Sequence, residues 1–158
     1  MRSKGNYDVL NAVADSFILS ADPVLGDLMS NLRLQKLVYY TQAWHLAHHG
    51  GPAFPDRIEA WRHGPVVPRL YQRFRNYGGG AIPLVVATSD IDGVPDSVEE
   101  IIKAVWSQYG GLTAGQLERQ THMESPWKQA YTPAPGTMRC ENEITHKSMR
   151  DFYRQYLS

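Results

Sequence analysis

The stretch from Asn31 to His49 contains no glycine or proline and is closed by Gly50-Gly51. Leu34, Leu37, Thr41, Trp44 and His48 fall 3, 4, 3 and 4 residues apart, the repeat of one helix face. Tyr39, Tyr40, Leu46 and Ala47 spread the apolar surface well beyond that stripe. A helix apolar over so much of its circumference must be surrounded, so the remaining elements are read as a shell around it. The fold class that follows is mainly α: a compact, single-domain helical bundle of about six helices with one or two short extended or β segments.

The remaining periodicities supply that shell. Asn6 is placed to cap a helix over Tyr7 to Ser20, whose Leu10, Val13, Ala14, Phe17 and Ile18 recur at helical spacing before Asp22-Pro23 ends it. Phe54 to Trp61 alternates weakly between Gly50-Gly51-Pro52 and Gly64-Pro65, which predicts an extended segment. Pro68 opens a third helix with Leu70, Tyr71, Phe74 and Tyr77 on one face, ended by Gly78-Gly79-Gly80. Ala81 to Pro95 is a connector in which Ile82 to Val86 reads as a short strand or an extended loop. Asp96, with Glu99 in the capping-box position, starts a helix carrying Val98, Ile101, Ile102, Val105, Trp106 and Tyr109. Thr113 and Gln116 repeat a capping box for a short helix to about His122, and Ser125-Pro126 starts a further turn or two through Tyr131. Thr132 to Glu143 reads as loop. Thr145 then caps a last helix whose Met149, Phe152, Tyr153 and Tyr156 are expected to face inward.

A chain of 158 residues is long enough for one domain, residues 1–158, to bury about 70% of its extended surface. Hydrophobic residues at 42% and charged residues at 20% exclude a disordered chain. Sixteen Lys and Arg balance sixteen Asp and Glu. The bulk positive charge that supplies most non-specific affinity for nucleic acid or anionic membrane is therefore missing, and nucleic acid is disfavoured as a partner. No apolar core with a cleavage site follows Arg2 and Lys4, and the apolar run Val9 to Leu19 is broken by Asn11, Asp15 and Ser16. Neither a signal peptide nor a membrane span is expected. The one cysteine, Cys140, allows no intramolecular disulfide, so the expected compartment is the cytoplasm.

The search for catalytic chemistry returns little. His45 and His49 lie one helical turn apart, but zinc needs a third ligand, and the HExxH form is absent because position 46 is leucine. No metal site and no cofactor are expected. His48 is read as packing at the last turn, with His45 and His49 partly solvated near the negative end of the helix dipole. Cys140 has Arg139 beside it and His146 six positions on, which is thin support for a nucleophile. Asp90 and Asp92 lack the remaining ligands of a calcium loop, and there is no nucleophile elbow, phosphate loop or dinucleotide fingerprint.

Two segments combine unusual chemistry. Glu59 to Tyr71 carries Trp61, Arg62, His63 and a Gly64-Pro65 pair read as a rigid turn that ends the strand and aims the next helix. Thr121 to Trp127 places Thr121, His122 and Glu124 at a corner between helices. Trp61 and Trp127 are read either as core residues, with the polar groups satisfying loop backbone, or as walls of a recognition surface. Arg57, Arg62, Arg69, Arg73 and Arg75 exceed the nearby Asp56 and Glu59, a patch suited to an acidic protein partner or to local ion pairing.

Three ordered motifs then carry a resemblance. Leu34, Gln35, Lys36, Leu37, Tyr39 and Tyr40 with Trp44 form the first. Glu59, Trp61, Gly64, Pro65, Val66 and Pro68 with Tyr71 form the second, and Thr121, His122, Glu124, Pro126 and Trp127 the third. In this order and spacing the chain resembles the Panacea domain of SocA-like antitoxins, from about Tyr7 to Trp127. The resemblance implies a compact, mainly helical antitoxin, often encoded beside a small toxin in phage-related regions, that neutralises a cognate toxin protein by direct binding. It supplies no catalytic residues.

The expected toxin-binding residues are Arg62, His63, Arg69, Arg73 and Arg75. An adaptor that hands its partner to a cellular protease is the second reading. A hydrolase-like enzyme using His45, His63 or His122 with Glu59 or Glu124 is the third. No membrane partner is expected, and the homo-oligomeric state is left open.

Overall fold

The structure, a computed structural model, describes residues 8–157. Its centre is the helix read from the sequence, α2 (Asn31–His49), following α1 (Val9–Ser20). Ser30 caps α2 by accepting from the Arg33 amide, and Gly50 ends it in the left-handed conformation at φ 85°, its N–H donating to the Leu46 carbonyl. Only Leu32, Trp44, His48 and His49 of α2 are not buried.

The remaining elements in chain order are β1 (Ile58–Trp61), β2 (Gly64–Val66), α3 (Pro68–Phe74), α4 (Asp96–Tyr109), α5 (Ala114–Met123), α6 (Ser125–Ala130), β3 (Glu143–Ile144) and α7 (His146–Arg154). α7 and α4 make the most extensive contacts with α2, and α5, β2, α1 and α3 complete its cover. The strands form one antiparallel sheet in the order β2-β1-β3, with Trp61 opposite Gly64 and Ile58 opposite Ile144. The mainly α architecture with short strands is the expected one.

α1 is capped by Asp8, whose carboxylate accepts from the Asn11 amide; the cap expected at Asn6 and the start at Tyr7 lie outside the described residues. Asp15 is fully buried in α1, with one carboxylate oxygen 2.8 Å from Arg73 and the other accepting from the Ser89 amide at 2.9 Å. Removing a buried carboxylate strands its cation, but Arg73 keeps Asn11 and the Val86 carbonyl as acceptors. Asp15→Ala is therefore expected to cost about 2–3 kcal/mol, below the usual range for breaking a buried pair. A urea midpoint matching the parent protein would contradict that role.

Several local expectations are corrected. Gly64-Pro65 does not end the strand: Gly64, Pro65 and Val66 are β2 itself, and the turn is Arg62-His63. Pro95, not Asp96, stands at the cap of α4 with no side-chain cap bond, so Asp96 and Glu99 act only as negative charge in the first turn. Residues 81–95 contain the 3-10 turns Leu84–Val86 and Ile91–Gly93 and a bridge from Ala81 to Ser30. His45 is buried, its Nδ1 2.7 Å from the Gly51 carbonyl and its Nε2 2.9 Å from the Ser97 hydroxyl, whereas His48 is exposed. Tyr156 is 63% exposed, while Met149 and Tyr153 face the core. The Thr113–Gln116 capping box forms as read, and Thr145 caps α7. Among the described residues no helix is long and apolar enough to cross a membrane, and no group of three or more His, Cys, Asp or Glu is placed to hold a metal.

Candidate functional site

The buried polar side chains of α2 explain why so apolar a helix carries glutamines and a lysine. Asn31, Gln35 and Gln42 are spaced 4 and 7 apart and share a face. Gln42 accepts from the Ala53 amide at 2.7 Å and donates to the Phe54 carbonyl at 2.8 Å. Gln35 accepts from the Val67 amide at 2.9 Å and donates to Asn31, which donates on to the Tyr71 carbonyl. Lys36 donates to the Pro65 carbonyl at 3.1 Å. Of the backbone groups so bonded, Pro65 lies in β2 itself and Ala53, Phe54, Val67 and Tyr71 flank the hairpin on either side. α2 thus clasps the main chain from Ala53 to Tyr71 and fixes where the hairpin stands.

The second anchor of the hairpin is the corner between α5 and α6. Trp127, capped against solvent at 9% exposure, donates its indole N–H to the Trp61 carbonyl at 2.8 Å. It stacks between His122 at 3.9 Å and Tyr131 at 4.7 Å. The His122 imidazole is hydrogen-bonded to the backbone of Arg62, and burial holds it below its usual pKa. His63 pairs with Glu118 at 2.6 Å. Thr121 is buried and donates to the Glu118 carbonyl. Pro126 sits in the first turn of α6, as Pro68 does in that of α3.

Beneath the corner, Glu124 accepts from Tyr40 at 2.7 Å and from Tyr153 at 2.8 Å. Its pKa is raised because burial outweighs the hydrogen bonds from Tyr40, Tyr153 and Gln120. Tyr39 and Tyr153 share a 3.0 Å hydroxyl contact, Tyr40 stacks on Tyr109 at 4.1 Å, and Trp44 donates to the Tyr109 hydroxyl. Leu34 and Leu37 are fully buried core. This aromatic cluster joins α2, α4, α7 and the corner into one unit.

Trp127 is therefore a buried residue, while Trp61 is half-buried and packs edge-on against Tyr71 at 5.0 Å. Glu59 accepts from the Trp61 indole at 2.9 Å and pairs with Arg57 at 3.0 Å. The arginines divide sharply. Arg69 is forked between Asp8 and Asp56, whose carboxylates raise its pKa further, and Arg73 reaches Asp15. Arg62 and Arg75 are exposed and have no ion-pair partner among the described residues. His45 and Glu124 are taken up by the bonds above, and Cys140 is buried with its thiol 3.5 Å from the Ala130 carbonyl. The α2 clasp was not anticipated; polar residues at 31, 35 and 42 inside an apolar helix were the available signal.

The family model described as "Antitoxin SocA-like, Panacea domain" matches residues 34–128, from the α2 motif through the corner. "Antitoxin SocA" of Caulobacter vibrioides (strain NA1000 / CB15N) is 31% identical over 154 residues, covering 90% of this chain and 81% of that protein. No solved structure matches the chain. The motifs that build the clasp, the hairpin and the corner are the ones the family model spans, and the chain belongs to the SocA-like antitoxin, Panacea-domain family.

Proposed function

We propose that this protein is the antitoxin of a toxin–antitoxin pair and neutralises a cognate toxin protein in the cytoplasm by direct binding, without catalysis, on a single domain spanning residues 1–158. Membership of the antitoxin family carries the reading. The rigid hairpin supports it, because an interface is strongest where its anchors are held in place before the partner arrives. The proposed contact residues are Arg62, His63, Arg69, Arg73 and Arg75. Of these, Arg62 and Arg75 are the cations left for a partner, since Arg69 and Arg73 already hold α3 to carboxylates. Sequestration works by mass action, and a nanomolar complex corresponds to about −12 kcal/mol.

The test is to express the reading frame adjacent to the gene alone and together with this protein. Growth arrest on expression alone, relieved by co-expression with no change in the toxin's half-life, is the expected result. Arrest that persists with both proteins present at equal levels would refute the reading, and a shortened toxin half-life would replace sequestration by delivery to a protease.

A further inference from the structure

The hairpin turn divides two adjacent hollows. One, of about 290 Å³, is bounded by Gln35, Trp61, Arg62, His63, Val66 and Tyr71. The other, also about 290 Å³, is bounded by Trp61, Arg62, Met138, Arg139, Cys140 and Glu141. Trp61 and Arg62 belong to both and form the ridge between them. Hollows at the lower end of the ligand-pocket range hold one large side chain each, not a cofactor. They suit an extended segment of polypeptide laid across the ridge.

The charges select its chemistry. Each carboxylate near the ridge is engaged: Glu118 with His63, Glu59 with Arg57, and Glu141 with Arg139. Among the described residues Arg62 alone of the ridge cations forms no ion pair and no side-chain hydrogen bond. An exposed guanidinium beside an indole and a phenol ring is the combination that anchors interfaces, and its fork matches a carboxylate. Met138, 54% exposed on the far hollow, offers an adaptable apolar wall.

We propose that the Trp61–Arg62 ridge is the docking site for an acidic–apolar segment of the toxin, with a carboxylate on Arg62 and a large apolar side chain in the Trp61–Tyr71 hollow. This rests on the antitoxin reading above and names the surface and the chemistry through which it operates.

Two blocked pentapeptides, Gly-Glu-Leu-Glu-Gly and Gly-Lys-Leu-Lys-Gly, are titrated into the full-length ¹⁵N-labelled protein. The acidic peptide is expected to shift the Trp61 indole and the Arg62 and His63 amides; the basic peptide is not. Arg62→Glu, at an exposed turn position without a side-chain bond, leaves the fold intact and weakens the acidic peptide at least tenfold. Absence of those shifts, equal shifts with both peptides, or unchanged affinity in R62E overturns the proposal. In the co-expression assay, R62E is expected to lose relief of arrest. Full relief by R62E overturns the docking site while the antitoxin reading stands; failure of the parent protein to relieve arrest overturns that reading and, with it, the toxin as occupant.

Discussion

Replacing Gly64 by alanine is expected to cost the fold about 3–5 kcal/mol, the sum of a backbone strain and an overpacking contribution. Gly64 has φ 110°, a region that residues with a Cβ rarely enter. A Cβ there would stand 2.6 Å from Lys36 Cε and 3.0 Å from the Thr121 hydroxyl. Both neighbours are buried, so neither can swing into solvent. Combining Gly64→Ala with Lys36→Ala should recover the steric part due to Lys36 and leave the dihedral part and the Thr121 contact, a coupling that a double-mutant cycle in urea measures directly. A G64A protein as stable as its parent would mean that the hairpin and α5 are not held as tightly as their distances indicate.

The second large effect is a rise in stability toward alkaline pH. Lys36 is fully buried, and desolvation lowers its pKa from 10.5 to about 7 against the opposing pull of Glu118 on α5. The charges of Lys36 and His63 both act on His122 on α5, disfavouring its protonated form. Between about pH 7 and 10.5 the unfolded chain keeps a proton that the folded chain has released, so stability climbs through that window. Below it both states are charged and the penalty for burying the ammonium stands in full. The rise is on the order of 5 kcal/mol if the shift is realised completely. Above pH 10 the trend reverses, because burial raises the Tyr39, Tyr40 and Tyr153 hydroxyls and pushes Tyr109 up to about 12. Urea midpoints from pH 6 to 11 should peak near the alkaline end, and Lys36→Met should flatten the ascending side. A parent profile level from pH 7 to 10 would show that Lys36 is neutralised by some other route.

What was legible in the chain was whatever local chemistry decides. α2 announced itself by a stretch free of glycine and proline, apolar over much of its circumference and ended by a glycine, and α5 and α7 by caps whose donor lies three residues from the acceptor. The hairpin was misread because Gly64-Pro65 has the composition of a turn. Its strand conformation depends on Lys36, Gln35 and Trp127, which hold the flanking backbone from 29 to 66 residues away. The histidines were exchanged for a similar reason: the hydrogen-bond partners of His45 come from Gly51, where the chain folds back, and from Ser97 on α4. At the candidate site, the aromatic and cationic residues of the turn stood out by type. Which arginines were already spoken for depended on Asp8 and Asp15, far off in the chain. An excess of cations over neighbouring carboxylates in sequence is thus a poor guide to free charge in space.

The strand β1 lies between β2, a few residues downstream, and β3 near the far end of the chain, and α2 rests most heavily on α7. The central helix therefore cannot be enclosed until α7 has been synthesised. A nascent or prematurely terminated product would present bare tyrosines and a half-built sheet, open to quality-control proteases. A chain cut short before α7 is therefore expected to leave α2 uncovered along its most extensively packed side.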